Sequence, residues 1–413
     1  MALRIAVVGA GPVGLEAALY GATLGYDTVV YEAGCVGENL RRWGHVALFS
    51  PWRMNHTSLG WQTVRSGGVA AREPHPDDLL TGREHRRLYL EPLSRSLPFK
   101  GRILQHHRVI SIGREGLLKG EGVADPRRAE KPFRILLETP DGETTALADR
   151  VLDASGSYGH PNWLGDGGIP APGERAARAR ISYLLDDPLG SEGALYHGRR
   201  ILLVGSGLSA ATSLLALQRL HIEDPSTSVL WVTRSSEPHP YTPIRNDPLP
   251  GRASLMEKAN ALGREEGPGI RRLPGRVVNS LEDSPEGLRV DLRDESRIET
   301  HPVDRILANV GYRPDRTLYS ELQVHECYAS EGPMKLAAAL LSGGAVDCLA
   351  QTGHGAGALV NPEPGFFVVG AKSYGRNSSF LMRIGFEQVR DVFQVITGDA
   401  HLDLYAGIWE TTA

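Results

Sequence analysis

The sequence contains three cysteines in 413 residues, and they are far apart: Cys35, Cys327 and Cys348. A disulfide framework needs several cysteines at recurring spacings, and a redox-active dithiol of the Cys-x-x-Cys type needs two cysteines separated by two residues. Neither pattern occurs in the chain. The sequence therefore excludes a disulfide-stabilised scaffold and a Cys-x-x-Cys redox centre.

The chain also lacks long apolar runs and a marked excess of either charge. No stretch reaches the roughly 20 apolar residues that a membrane helix needs. Met1 to Val8 leads directly into a strand pattern, without the features of a secretion signal. The formal net charge of −4 gives no electrostatic reason to expect binding to nucleic acid or to an anionic membrane. We therefore expect a cytoplasmic protein with neither nucleic acid nor a membrane as its partner.

Motifs of metal enzymes and of serine hydrolases are absent as well. The 14 histidines include no His-Glu-x-x-His pair. His106 and His107 fall in a predicted strand, in which neighbouring side chains point to opposite faces and cannot share an ion. No Gly-x-Ser-x-Gly elbow occurs. We expect neither a metal site nor nucleophilic hydrolysis.

The sequence does contain a glycine-rich turn between a strand and a helix, close to its start. Leu3–Val8 is a short apolar run typical of a buried parallel strand, and Leu15–Leu24 has the pattern of a helix. The turn between them supplies the residues of a dinucleotide-binding fingerprint, Gly9, Gly11, Pro12, Val13 and Gly14. Its glycines allow a sharp turn, close approach of a pyrophosphate and tight helix packing, and the helix N-terminus attracts the phosphates.

Glu32 follows the next predicted strand, Thr28–Tyr31. A carboxylate at this position accepts hydrogen bonds from ribose hydroxyls and disfavours a 2′-phosphate, so the site should hold FAD or NAD rather than NADP. Glycine turns in unrelated α/β proteins can also produce such a fingerprint. The strand, the helix, the small residues Ala18 and Gly25 and the terminal acid all fall in register, which favours a binding site.

A second copy of this pattern begins near residue 200. Ile201–Val204 predicts the strand, residues 209–220 the helix, and Ser228–Thr233 the following strand. The turn supplies Gly205, Gly207, Leu208, Ser209 and Ala210. Arg234 stands where the first unit has its acid, and an arginine there can pair with a 2′-phosphate. The second site is therefore predicted to bind NADPH, with a surface role for Arg234 and binding of NADH as the alternatives.

The two dinucleotide sites have different residues at the position that contacts the ribose, which implies two different dinucleotides. The nicotinamide of one would then reduce the flavin of the other. The fold class is α/β, with two Rossmann-like domains and the NAD(P)H domain inserted into the FAD domain. Residues 1–160 and 306–413 are assigned to the FAD domain. Residues 161–305 are assigned to the NAD(P)H domain.

With these motifs, the chain resembles the flavoproteins with two dinucleotide-binding domains. This group contains thioredoxin-reductase-like enzymes, flavin-containing monooxygenases and N-hydroxylating monooxygenases. Besides the two fingerprints, the resemblance rests on three segments: Asp153–Gly156, Asn309–Asp315 and Phe366–Gly370. Together they cover nearly the whole chain and are specific for the superfamily, though not for a substrate.

The resemblance implies further cofactor contacts outside the glycine turns. Asp153–Gly156 resembles a segment that crosses near the flavin, and Gly311 with Tyr312 begins the return crossing. The family's last flavin contact reads Gly-Asp, whereas this sequence has Gly370-Ala371-Lys372. The expected contacts are Val109, Ser155, Gly156, Gly311, Tyr312, Gly370, Ser373 and Asn377.

The resemblance also implies an activity. Disulfide reductases of the superfamily use a cysteine pair beside the flavin, which is absent here. The leading hypothesis is an NADPH-dependent FAD monooxygenase, in which dioxygen forms a flavin C4a-hydroperoxide that oxygenates an amine nitrogen or sulfur of a small molecule. One alternative is a reductase that passes electrons to a quinone or protein carrier without oxygen insertion. The other is a non-catalytic nucleotide-binding flavoprotein.

Candidates for the substrate side lie in two loops. The first, Arg41–Gly60, is dense in Trp, His and Arg, and by topology it should lie over the flavin ring. In it, Asn55 is the catalytic candidate, as a donor to the peroxide, and His45 and Arg53 are candidate substrate contacts. Asn246 is a further candidate, in the proline-rich loop 235–252 that could form a lid. The alternatives are that the aromatic residues of the first loop only pack beneath it, and that the second loop only connects two elements.

Overall fold

The computed structural model describes residues 2–68, 72–245, 247–264, 269–285, 287–342 and 354–406. The chain folds as two compact units. Unit 1 comprises Met1–Arg41, Ser50–His160 and Arg313–Ala413, and unit 2 comprises Arg42–Phe49 and Pro161–Tyr312. Most of unit 2 is therefore a single insertion into the sequence of unit 1.

Sixteen strands and ten α-helices are defined within the described residues. The strands are β1 (Arg4–Val8), β2 (Asp27–Glu32), β3 (Ile103–Gln105), β4 (Arg108–Arg114), β5 (Phe133–Thr139), β6 (Gly142–Ala148), β7 (Arg150–Asp153), β8 (Ile181–Ser182), β9 (Arg200–Val204), β10 (Ser228–Thr233), β11 (Ile270–Pro274), β12 (Val277–Ser284), β13 (Gly287–Arg293), β14 (Ile298–Val303), β15 (Arg305–Ala308) and β16 (Phe366–Val368). The helices are α1 (Pro12–Thr23), α2 (Glu38–Arg42), α3 (Ser58–Ser66), α4 (Gly82–His85), α5 (Glu91–Ser94), α6 (Leu208–Glu223), α7 (Pro250–Arg264), α8 (Met334–Ser342), α9 (Ala356–Leu359) and α10 (Met382–Thr397). None of these helices is both long and apolar enough to cross a bilayer.

Unit 1 is built on a parallel sheet with the strand order β16-β7-β1-β2-β3. A three-stranded antiparallel sheet, β4-β5-β6, shares a hydrophobic core with it that includes Val8, Ile112 and Phe366. Helices α1 and α10 pack against each other, with Tyr20 stacked on Phe393 at 4.9 Å between ring centroids. Because the strands are parallel, their carboxyl ends share one edge, where such sheets bind ligands.

Unit 2 repeats this architecture with the parallel order β11-β10-β9-β15-β8 and the antiparallel sheet β12-β13-β14. One face of its parallel sheet buries Leu203 and Leu307 against α6 and α7. The other face buries Leu202 and Ile306 against the antiparallel sheet. Apolar residues on both faces explain why these strands read as continuous apolar runs. The predicted α/β class with two Rossmann-like folds is confirmed.

Two boundaries differ from those that the sequence predicts. Residues 306–312, assigned above to the FAD domain, lie in unit 2, because β15 pairs with β9 and β8 of that unit. Residues 42–49 also group with unit 2. The strand predicted to contain His106 and His107 is instead two strands, β3 and β4, because His106 adopts a positive φ of 59° between them.

Candidate functional site

The first glycine turn forms a cradle at the carboxyl edge of the unit 1 sheet. Gly9 has a φ of 99°, and a Cβ on it would lie 2.9 Å from the Ala154 carbonyl oxygen. A Cβ on Gly14 would lie 2.0 Å from the Gly9 oxygen, so helix and strand need both glycines. A Cβ on Gly11, by contrast, would meet no atom within 4 Å. Gly11 thus faces open space at the N-terminus of α1, where backbone N–H groups favour an anion.

Glu32 closes one side of this cradle. Its two carboxylate oxygens accept hydrogen bonds from the backbone N–H groups of Ala10 and Gly34, each at 2.7 Å. Burial raises the pKa of Glu32, and the two backbone hydrogen bonds oppose that rise. Each oxygen retains a lone pair for a further donor such as a ribose hydroxyl. Val109 lies in the adjoining core, where its side chain is buried.

The turn after β16 reaches the same edge. Gly370 has a φ of 70°, and a Cβ on it would lie 3.5 Å from the side chain of Val13. Gln388 of α10 fixes this turn, because its Oε1 accepts from Gly370 N at 2.8 Å and its Nε2 donates to Ser373 Oγ at 2.9 Å. Ser373 is fully buried and also donates to the Gly370 carbonyl. The Ser373 hydroxyl therefore connects the turn to α10 through Gln388. Asn377, in contrast, is exposed.

Lys372 occupies the region where the resembled family carries an aspartate. Its Nζ lies 2.6 Å from Asp153 Oδ2 and donates to Ser155 Oγ at 3.0 Å. The Ser155 hydroxyl donates in turn to the other Asp153 oxygen at 2.6 Å. Gly156 follows with a φ of 73°. The end of β7 and the turn after β16 are thus joined by a buried ion pair that the sequence pattern did not indicate.

The second glycine turn forms a matching cradle in unit 2. Gly205 has a φ of 132°, and a Cβ on it would lie 2.2 Å from the Asn309 carbonyl oxygen. A Cβ on Gly207 would again meet nothing within 4 Å. Leu208 and Ser209 begin α6, and Ala210, the next residue of this helix, is fully buried. A dinucleotide-binding turn needs a small residue where Ala210 lies and open space where Gly207 lies, and both are present.

The segment after β10 lies beside this second cradle. Arg234, the predicted 2′-phosphate ligand, is exposed. Arg272 of β11 donates to the Glu237 carbonyl at 2.8 Å and to the Pro238 carbonyl at 3.1 Å, which fixes the loop that carries Arg234. Tyr241 donates its hydroxyl to the Gly207 carbonyl at 3.2 Å. The proline-rich loop is therefore anchored at the cradle, although Asn246 lies outside the described residues.

The outgoing and returning chain segments pair with each other where the sequence passes from one unit to the next. Within unit 2, Asn162 N donates to the Gly311 carbonyl at 3.0 Å, and Tyr312 donates its hydroxyl to Tyr183 O at 2.9 Å. Within unit 1, Arg313 N donates to His160 O at 2.9 Å. Gly311 and Tyr312 thus belong to unit 2, and Ser155 and Gly156 to unit 1.

The tryptophan-rich loop divides between the two units. His45 belongs to unit 2, whereas Arg53 and Asn55 belong to unit 1. Arg53 is a half-buried residue whose side chain pairs with Asp77. Asn55 is buried, accepts from Ser50 Oγ at 2.8 Å and donates to the Ser50 carbonyl at 2.8 Å. The Asn55 amide therefore holds the loop closed, and the structure does not group these three candidates.

A buried acid near this loop went unnoticed in the sequence. Glu16 of α1 accepts hydrogen bonds from the hydroxyls of Tyr89, Thr57 and Tyr405. Burial raises the pKa of Glu16 to about 7, and the three hydrogen bonds oppose that rise. His85 lies nearby, and burial lowers its pKa to about 4, so it is neutral. The partners of Glu16 are 41 or more residues away along the chain, a separation that periodicity cannot relate.

The two cysteines in the described residues are free thiols, Cys35 and Cys327. Burial raises the pKa of Cys35, and its thiol donates to Glu38 at 2.9 Å. Hydrogen bonds from Ser330 lower the pKa of Cys327. Cys348 lies outside the described residues. Neither described thiol is therefore part of a disulfide.

The model of one protein family, described as pyridine nucleotide-disulphide oxidoreductase, matches residues 3–329. No curated protein sequence matches the chain. Among solved structures, a bacillithiol disulfide reductase from Bacillus cereus is 18% identical, with a TM-score of 0.67 over 96% of this chain and 99% of that one. The ornithine N-hydroxylase of Kutzneria sp. 744 is 13% identical, with a TM-score of 0.62 over 96% and 99%. A flavin-containing monooxygenase from Stenotrophomonas maltophilia is 16% identical, with a TM-score of 0.53 over 96% and 98%.

Proposed function

This chain belongs to the pyridine nucleotide-disulphide oxidoreductase family and is an FAD-dependent, NAD(P)H-using oxidoreductase, and we propose that within this class it is a monooxygenase. The resemblance to two-dinucleotide-binding flavoproteins is confirmed by the same matches. The reaction would consume NADPH, a proton and dioxygen. One oxygen atom would go to an amine nitrogen or a sulfur of a small molecule, and the other would leave as water.

Two open glycine cradles, together with thiols that form no disulfide in the described part of the chain, support this activity. Disulfide reduction through protein thiols requires two cysteines that can form a disulfide and a thiolate that attacks. Within the described residues Cys35 and Cys327 are free thiols that form no disulfide, with the pKa of Cys35 raised and that of Cys327 lowered. Electrons arriving at the flavin therefore need an acceptor that diffuses in, and dioxygen is such an acceptor.

The residues of the unit 1 cradle fit FAD. The open space beside Gly11 admits a pyrophosphate to the backbone, and Glu32 keeps lone pairs for the ribose hydroxyls. Gly370 and Val13 pack together at the same sheet edge. When bound, FAD supplies the redox chemistry, while these residues hold and orient it.

The residues of the unit 2 cradle fit a nicotinamide dinucleotide. Gly207 leaves the same open space, and Arg234 stands after β10 where the adenosine ribose of a dinucleotide lies. The charge and planar donors of Arg234 suit a 2′-phosphate. Since Arg272 fixes the carbonyls of the adjoining loop, we propose that Arg234 gives the protein its preference for NADPH.

The test is to follow the fate of oxygen. Purified FAD-loaded protein is mixed with NADPH, isotopically labelled dioxygen and a panel of primary amines, hydroxylamines, thioethers and thiols. The proposal expects NADPH oxidation to accelerate with one class of substrate, and one labelled oxygen atom to appear in its product. Turnover driven by a low-molecular-weight disulfide or a quinone under argon, with no labelled product in air, would show a reductase instead.

A further inference from the structure

Asn309 carries a buried side-chain amide without a partner. The residue follows β15 in unit 2 and is 7% exposed. Both amide atoms, Oδ1 and Nδ2, are buried and make no hydrogen bond within the described part of the chain. Its backbone, in contrast, is fully placed, because Asn309 N donates to Val204 O at 2.8 Å. Buried polar atoms are nearly always paired, and in Asn309 both the donor and the acceptor of the amide are left able to bind a ligand.

The position of Asn309 directs its side chain toward the second cradle. Along β15, Leu307 packs in the core on the α6 face, whereas Ile306 and Ala308 pack on the opposite face. Side chains alternate along a strand, so Asn309 continues the α6 face. Its carbonyl oxygen lies 2.2 Å from the point where a Cβ on Gly205 would be. Asn309 therefore lies beside the glycine turn, and the alternation places its side chain on the side where α6 begins.

The order of the strands tells which half of a dinucleotide Asn309 meets. β10 and β15 flank β9 on opposite sides. Arg234, at the end of β10, marks the side of the adenosine ribose and its 2′-phosphate. A dinucleotide whose pyrophosphate crosses the cradle at the end of β9 then places its other nucleoside toward the end of β15.

We propose that the Asn309 amide binds the nicotinamide-nucleoside half of NADPH, a proposal that rests on the assignment of the unit 2 cradle made above. An amide offers one acceptor and two N–H donors, which complement ribose hydroxyls and the nicotinamide carboxamide. Binding of this half would satisfy a donor and an acceptor that the protein leaves unpaired. Asn309 thereby distinguishes the complete coenzyme from its adenosine fragment.

Two ligands separate the halves of the coenzyme. Isothermal titration of the FAD-loaded protein with NADP⁺ and with adenosine 2′,5′-bisphosphate gives a Kd for each. For Asn309→Leu, the Kd of NADP⁺ should rise about tenfold, in line with the loss of one or two hydrogen bonds, while the Kd of the bisphosphate should change less than about twofold. Since leucine removes an unpaired buried amide, the Tm of the ligand-free variant should equal or exceed that of wild type.

Thr227→Val is the matched control. Thr227 is fully buried at the opposite end of the unit 2 sheet, where its hydroxyl oxygen accepts from Gly198 N at 2.9 Å. This variant should lower the Tm and leave both Kd values unchanged. An unchanged Kd of NADP⁺ in Asn309→Leu would overturn the proposal, as would an equal loss for both ligands with a lowered Tm. Wild-type protein that binds the bisphosphate and NADP⁺ equally would also overturn it, whereas wild-type protein that binds neither would overturn the proposed function itself.

Discussion

Lys372 and Asp153 form an ion pair in which both side chains are 0% exposed, with Nζ 2.6 Å from Oδ2. The pair joins the end of β7 to the turn after β16, at the edge that carries the first cradle. Charges buried to this extent are tolerated only when they are paired and hydrogen-bonded, and Ser155 supplies the additional contacts to both partners. The lysine is therefore part of the architecture that positions the cradle.

Replacing one partner of this pair should destabilise unit 1. Lys372→Met leaves the Asp153 carboxylate buried without its counter-charge, which costs about 3–5 kcal/mol. Urea unfolding of the ligand-free protein measures this loss. The double variant Lys372→Met with Asp153→Asn removes both charges and should recover much of the lost free energy of unfolding. A single variant as stable as wild type would show that the pair is not formed.

Two glycines of the first cradle should respond differently to alanine. Gly11 has an ordinary φ of −79° and open space around its Cβ position, so Gly11→Ala should fold with an unchanged Tm. Its methyl group occupies the space of the pyrophosphate, and FAD affinity should fall by about tenfold or more. Flavin absorbance of the dialysed protein reports the loss.

Gly14→Ala is the contrasting variant. Its Cβ would lie 2.0 Å from the Gly9 carbonyl oxygen, and relief of this contact requires backbone movement. We expect a loss of about 1–3 kcal/mol in the free energy of unfolding. If Gly11→Ala lost stability while Gly14→Ala lost only FAD, the geometry of the cradle would be contradicted.

Glu16 should make stability depend on pH. Burial raises its pKa from the ordinary 4.5 to about 7 in the folded protein. Because the folded state holds this proton more tightly than the unfolded state, its contribution is fully present below about pH 4.5 and is lost as pH rises to about 7. The change is on the order of 3 kcal/mol. Glu16→Gln should flatten that part of the profile of unfolding free energy against pH, and an unaltered slope would contradict the assignment.

Arg234 should set the coenzyme preference. Arg234→Ala removes the charge proposed to pair with the 2′-phosphate, so the KM for NADPH should rise about tenfold while that for NADH stays near its wild-type value. Arg271→Ala is a suitable control, because Arg271 is an exposed arginine on the neighbouring strand β11. Steady-state NAD(P)H oxidation with an artificial electron acceptor gives both constants. Equal changes for the two coenzymes would remove Arg234 from this role.

The two cradles were predictable because each is encoded in one continuous stretch of sequence, from β1 to Glu32 and from β9 to Arg234. Apolar strands, glycine turns and helix patterns are local, and the structure has β1, α1, β2, β9, α6 and β10 at the expected places. The roles of individual polar side chains were not predictable in the same way. Ser373 bonds to Gln388, and Lys372 reaches Asp153 across 219 positions of sequence. Such partners are fixed by tertiary packing, and sequence periodicity does not indicate contacts between residues far apart along the chain.

In the proposed function one cradle seats FAD, the other seats NADPH, and electrons pass from NADPH to the flavin. The most direct measurement is the visible spectrum of the purified, FAD-incubated protein under argon, before and after addition of NADPH. We expect a yellow protein whose flavin absorbance bleaches when NADPH is added. Protein that stayed colourless after incubation with FAD, or that bound FAD but was not bleached by either NADPH or NADH, would contradict it.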